Sequence, residues 1–186
     1  MPFAPPDPPL SDEVVTLRPW REGDAGAVAE ACRDAEIVRW LDQVPQPYTR
    51  ADARDYIAAT AQNWRDGTAA SFAVTDAATG AVLGSISIHW MDAEEAVGEV
   101  GYWVAPGTRG RGVASRALRL VARWATGEGS VERLQLRADV NNAASRRVAE
   151  KAGFHEEGVL RSIRFSSKHG RRVDFAIYSI LPGEIE

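Results

Sequence analysis

The chain has 186 residues, 45% hydrophobic and 26% charged, a composition that suits one globular domain able to fold without staples. Lys and Arg number 22 against 26 Asp and Glu, and the resulting net charge of −4 argues against non-specific nucleic-acid binding, which runs on excess positive charge. A single cysteine, Cys32, excludes a disulfide framework and a cysteine-rich metal site, and His89, His155 and His169 are scattered, so no metal site is expected.

Residues 1–12 are proline-rich and read as a flexible tail that cannot join a sheet or helix interior. They hold neither a basic n-region nor an apolar core, so they do not read as a signal peptide. No run approaches the roughly 18 apolar residues that span a membrane, and a cytoplasmic protein without membrane contact is expected. Residues 13–183 read as a single domain. Alternation over residues 13–20, Val15 and Leu17 against Thr16 and Arg18, predicts a first strand. Helical spacing follows over 23–32 and 36–41. Thr49 with Asp52 three residues on predicts a capped helix start, and Ala53, Tyr56, Ile57, Thr60 and Trp64 give that helix its face, to a stop near Gly67.

From residue 70 the period becomes that of strands. Residues 70–75, 81–90 and 97–104 predict an antiparallel meander, with a turn at 76–80. A Gly-rich loop over 105–112 leads into a helix over 113–125, whose inner face carries Ala114, Ala117, Leu118, Val121 and Trp124. A strand over 131–140, a helix over 142–152 ended by Gly153, and strands over 154–163 and 173–181 complete the pattern, the last two joined by a basic loop. Strands flanking helices give an α/β or α+β sandwich.

The strongest local signal is Thr108-Arg109-Gly110-Arg111-Gly112-Val113-Ala114, between a predicted strand and a predicted helix. Unpaired N–H groups at a helix N-terminus attract anions, and glycine lets a diphosphate approach the backbone. No Gly-Lys-Ser/Thr follows, so it is not a P-loop, and Ser115 stands where a dinucleotide fingerprint needs its third glycine.

The run Arg109-x-x-Gly112-x-Ala114 resembles the pyrophosphate-binding signature of the GNAT superfamily of N-acetyltransferases, Arg/Gln-x-x-Gly-x-Gly/Ala. A second stretch, Asn142-Ala-Ala-Ser145 through Lys151, Gly153 and Phe154, continues into Glu157-Gly158, Leu160-Arg161, Gly170, Asp174 and Tyr178. That series resembles the RimJ/RimL branch, which acetylates N-termini of ribosomal proteins, and also relatives with other amine acceptors. The resemblance implies a mixed, mostly antiparallel central sheet flanked by helices, with acetyl-CoA as acyl donor. It places donor binding at Val104, Arg109, Gly110, Arg111, Gly112, Val113, Ala114, Asn142 and Ser145, with the Ser145 hydroxyl near the sulfur and backbone N–H groups near Val104 for the oxyanion. It gives Glu99, in Gly98-Glu-Val-Gly-Tyr-Trp103, the role of base; as a bare residue it reads equally as a solvent-facing strand carboxylate. Many members carry a Tyr acid where this chain has Ala149, so the general acid is open between Ser145 and none. Asn142 and Ser145 read alternatively as helix caps alone.

The implied acceptor is a primary amine, with a protein or peptide N-terminus ranked ahead of a small-molecule amine. A non-catalytic acyl-CoA-binding module is the rival of another class. Arg161, Arg164, Lys168, Arg171 and Arg172 suggest a dock for an acidic partner or the adenosine phosphate or, more simply, a solvated hairpin; a nucleic-acid or ribosome-docking role would rest on them, and the net charge of −4 argues against it. The tryptophans read mainly as core, with Trp40 and Trp64 placed by the resemblance near the acceptor pocket. A homodimer is expected from symmetry alone.

Overall fold

A computed structural model describes residues 3–185. Its elements follow in chain order as β1 (Leu10–Ser11), β2 (Val15–Pro19), α1 (Ala25–Ala31), α2 (Ala35–Trp40), α3 (Arg50–Asp66), β3 (Ala69–Asp76), β4 (Val82–Asp92) and β5 (Val97–Val104), then α4 (Val113–Thr126), β6 (Arg133–Asp139), α5 (Ala143–Lys151), β7 (His155–Ser166) and β8 (Arg171–Ile180). All eight strands form one sheet, ordered β1-β2-β3-β4-β5-β6-β8-β7. Every adjacent pair is antiparallel except β5 and β6.

The local chemistry explains the boundaries. The Thr49 hydroxyl accepts the Asp52 N–H while the Asp52 carboxylate accepts the Thr49 N–H, closing the expected capping box at the start of α3. Gly67, at φ 66°, ends that helix in left-handed backbone. Ala53, Ile57, Thr60 and Trp64 form its buried stripe. α4 buries Ala117, Leu118, Val121, Ala122, Trp124 and Ala125. β3 lies deep in the sheet and is buried along both faces through Thr75, the polar Ser71 and Thr75 included. The larger core packs α4 and α5 on one face, and a smaller one lies with α1 and α3 against the other.

The N-terminal segment corrects an expectation. Residues 3–12 do not hang free: Phe3 is 3% exposed and stacks on Trp90, ring centroids 4.3 Å apart. Leu10 pairs with Leu17, and Asp12 accepts from Arg116 of α4 at 2.9 Å. Proline removes only its own N–H, so Leu10 and Ser11 can still join the sheet edge, and burying one aromatic ring favours docking. Residues 1–2 of that expected tail lie outside the described residues. The C-terminal strands also extend further than their sequence pattern, reducing the basic loop to a tight turn at 167–170. Among the described residues no helix is long and apolar enough to cross a membrane.

The sheet opens at one place. The parallel pairing of β5 with β6 covers only Val97–Glu99 against Arg133–Gln135. Beyond Glu99 and Gln135 the two strands part.

Candidate active site

The parting of β5 and β6 opens a cleft of about 490 Å³, lined by 100–104 of β5, 136–139 of β6 and the first turns of α4 and α5. At its end stands α4, capped by Gly112 at φ 77° and by no side chain. α2, α3 and α5 each carry a side-chain cap, from Asp34, Thr49 and Asn142. In α4 the Arg116 N–H donates to Gly112 O at 3.1 Å, so the N–H groups of Val113, Ala114 and Ser115 precede the first helical bond and face outward. Gly110, at φ 75°, shares the left-handed backbone. A Cβ at Gly110 would meet nothing within 4 Å, and one at Gly112 only Ser115 Oγ at 4.0 Å. The glycines are thus required by backbone conformation, and the space above them is open to an anion. The Thr108 hydroxyl donates within reach of Ala105 O at 2.9 Å and Leu83 O at 3.1 Å, tying the loop to the sheet.

The two loop arginines behave differently from expectation. Arg109 lines the cleft but pairs with Asp34, the cap of α2, and holds that carboxyl below the usual carboxylate range. Arg111 is exposed and lines neither this cleft nor the second cavity described below. Arg147 and Lys151 of α5 line the cleft beside Arg109.

Asn142 caps α5 by accepting the Ser145 N–H at 3.0 Å, so the capping reading holds for it, and both residues line the cleft. The Ser145 hydroxyl lies 2.9 Å from the Tyr102 hydroxyl, a pair that bridges from β5 to α5. Burial pushes the Tyr102 hydroxyl up to about 12, against the opposing effect of its Ser145 hydrogen bond. Tyr102 was missed because nothing local distinguishes it from any strand tyrosine. Ala149 is fully buried in the core. The hydroxyl near Ser145 therefore enters from the strand.

Backbone direction in β5 is fixed by its ladder with β4. Ala105 N–H donates to Leu83 O at 2.8 Å, and the register runs without a slip from Gly84↔Val104 to Trp90↔Gly98. Alternate residues bond β4, so the N–H groups of Val100, Tyr102 and Val104 face the parted side.

Glu99 lies on the opposite face of β5. Its Oε2 accepts from Arg137 Nε at 2.5 Å and Gln135 Nε2 at 3.0 Å, and its Oε1 from Arg137 Nη2 at 2.8 Å. The carboxylate is held in a bidentate pair and lines neither cavity, whereas Arg137 lines the cleft. With one bond on Oε1, that oxygen keeps an acceptor site open.

A second cavity of about 370 Å³ lies on the Glu99 face, beneath α1 and α3. Tyr48, Tyr56, Trp103 and His89 line it, with Asp52 and Asp55. It meets the first at Leu41, Gly101, Tyr102 and Trp103, which line both. Desolvation lowers the pKa of His89, with Glu99 opposing. Trp40 lines the first cavity; Trp64 is buried, donating to Ser71 O at 3.0 Å.

Arg161, Arg164, Arg171 and Arg172 of the basic hairpin are exposed, while Lys168 anchors it. Lys168 Nζ donates to Val38 O and Leu41 O, both at 2.6 Å, at the C-terminal end of α2. Ser166 and Arg164 reach Asp42 at 3.1 and 3.3 Å. Cation on helix C-terminal carbonyls is a favourable pairing, and it fastens the β7–β8 tip beside Trp40 at the cleft. Asp174 accepts the Ser162 N–H at 2.7 Å, and Glu157 pairs with Arg133 and Ser179, so these motif residues hold the hairpin and the sheet.

Comparison with known proteins agrees with this architecture. The chain belongs to the acetyltransferase (GNAT) domain family, which matches residues 15–155, and acetyl-CoA is the acyl donor of that family. It is 36% identical over 107 residues to YdaF of Bacillus subtilis (strain 168), a candidate ribosomal N-acetyltransferase, covering 58% of this chain and 57% of that protein. An uncharacterized N-acetyltransferase of Bacillus licheniformis is 25% identical over 175 residues, 94% of this chain and 97% of that one. RimJ of Mycobacterium smegmatis, solved with a CoA disulfide, superposes with a TM-score of 0.81 at 22% identity, covering 92% of this chain and 83% of that one, and so shares the fold.

Proposed function

We propose that this protein transfers the acetyl group of acetyl-CoA to the α-amine of a protein or peptide N-terminus by direct attack. The observation that carries the reading is the uncapped, glycine-bounded N-terminus of α4 opening into the same cleft as the Tyr102–Ser145 pair. The diphosphate sits on the N–H groups of 113–115, beside Arg147 and Lys151. Tyr102 and Trp103 then border the donor on one side and the acceptor on the other.

An α-amine with a free pKa of about 8 must lose a proton before it attacks. Glu99 takes that proton through a water at the open site of Oε1, with Arg137 fixing the carboxylate. The nitrogen bonds to the thioester carbon, and the oxyanion is met by N–H groups of β5 around Val104. The C–S bond then breaks, the nitrogen sheds its second proton to the departing sulfur through solvent, giving the amide and the free thiol, and the Ser145 hydroxyl, backed by Tyr102, steadies the sulfur by a hydrogen bond as it leaves. With the Tyr102 hydroxyl near 12, the pair stays protonated at neutral pH and acts as a donor. The name of YdaF, a candidate ribosomal N-acetyltransferase, supports a protein acceptor. The test is a panel of peptides beginning with Ala, Ser or Met, polyamines, amino sugars and free amino acids, read by mass with acetyl-CoA. α-Amine acetylation of a peptide is the expected result; exclusive acetylation of an amino sugar or free amino acid would overturn it.

A further inference from the structure

The two cavities differ sharply in charge. The donor cleft is lined by Arg39, Arg109, Arg137, Arg147, Lys151 and Arg164 against Glu36, Asp42 and Asp139. The second cavity is lined by Asp52 and Asp55, and no Lys or Arg is among its lining residues. Arg33 approaches this region but donates to Tyr48 O at 3.1 Å and does not line the cavity. His89 also lines this wall, and desolvation lowers its pKa. Tyr48, Tyr56 and Trp103 supply aromatic walls, and Ser85 and Ser87 add hydroxyls along β4.

An apolar, aromatic chamber with an anionic rim is suited to a cation, which gains from the ring faces and from the carboxylates at once. The chamber opens where the transferred acetyl group must lie, at Gly101 to Trp103. The polarity of the two cavities also sorts the substrates. The anionic donor is drawn to one side of β5 and a cationic acceptor to the other.

We infer that the second cavity selects an acceptor bearing a second positive charge beyond the reacting amine. This rests on the acetyl-transfer reading and narrows its substrate. In a peptide the second charge is a Lys or Arg in the residues after the N-terminus; in a small molecule it is the distal ammonium of a polyamine. An acidic residue at that place meets Asp52 and Asp55 and is disfavoured. Asp52 also closes the α3 capping box, which makes Asp55, exposed and on the next turn, the side chain to vary.

The experiment compares three peptides that begin with Ser and differ only at positions two and three, as Lys-Lys, Ala-Ala and Glu-Glu, together with spermidine, all at low ionic strength. Surface-pair energies predict a kcat/KM for Lys-Lys roughly tenfold above Glu-Glu, with Ala-Ala between. Asp55→Asn should cut that ratio about threefold, and Asp55→Lys should invert it, while acetyl-CoA affinity stays at the wild-type value. Raising salt should shrink the ratio in the wild type. Equal rates on all three peptides, or a preference for Glu-Glu, overturns the inference and leaves peptide acetylation standing. Acetylation of spermidine with no peptide modified, and sensitive to Asp55→Lys, sustains the inference and overturns the N-terminal acceptor. A ratio unmoved by both Asp55 variants overturns the assignment of the charge preference to this cavity.

Discussion

The donor cleft and the acceptor-side cavity share a wall of β5, yet they are built by different means. The donor end, as proposed above, is assembled from nearly consecutive residues, 108–115, and the recognition groups we assign to it are backbone N–H donors at α4, held by two left-handed glycines. The acceptor side draws Tyr48, Asp55, His89 and Trp103 from α3, its entry and two strands, and its recognition groups are side chains. Backbone recognition demands one conformation of the chain and tolerates little change. Side-chain recognition can be altered one residue at a time.

That contrast can be broken first at the chemistry between the two cavities. Glu99→Gln keeps the shape and the Gln135 neighbour but removes the proton acceptor; kcat should fall about a hundredfold with acetyl-CoA affinity retained, measured by steady-state rates beside calorimetry. Retained turnover would leave Glu99 as a partner of Arg137 and nothing more. Next comes the donor end. Gly112→Val forces a β-branched residue to φ 77°, about 1–3 kcal/mol of strain that the loop relieves by moving, and acetyl-CoA should bind roughly tenfold more weakly. Unchanged affinity would remove the loop from the binding site.

Smaller effects sharpen the picture. Tyr102→Phe and Ser145→Ala each delete one hydroxyl of a 2.9 Å pair and should slow kcat about five- to tenfold, the double variant no more than the slower single one. Additive losses would mean the two hydroxyls act apart. Glu157 offers a pH test far from catalysis. Arg133, and then Ser179, hold its carboxyl down to about 2 from 4.5. A depressed acid stabilises the fold above its unfolded pKa, and that contribution is lost as pH falls from 4.5 towards 2. Glu157→Gln should therefore lower the thermal midpoint at pH 7 and flatten its fall over that window; parallel curves for both proteins would contradict the pairing.

What could be read from sequence followed the range of the interactions. The Thr49–Asp52 box, the α4 stripe and the Gly110–Gly112 loop are local, each set within a few residues, and each stands where its pattern puts it, except that Ala114, expected on the α4 inner face, lines the cleft instead. Tyr102 and Ser145 are 43 residues apart, and only the parting of β5 from β6 brings them together. Lys168 looked like a solvated cation because its partners, the carbonyls of Val38 and Leu41, are more than a hundred residues away. Phe3 met Trp90 in the same way, through packing that proline spacing does not reveal. The sequence offers Glu99 as a base or a solvent-facing strand carboxylate, and its clamp by Arg137 is illegible there because it depends on a neighbouring strand.

The central claim is that the donor is held by the free amides at the start of α4, within the parted strands. Amide hydrogen exchange with and without acetyl-CoA tests this directly. Binding should slow exchange at Val113, Ala114 and Ser115, and at Tyr102 and Val104 on β5, while α3 stays unchanged. Exchange unaltered at 113–115, with binding confirmed by calorimetry, would contradict the account.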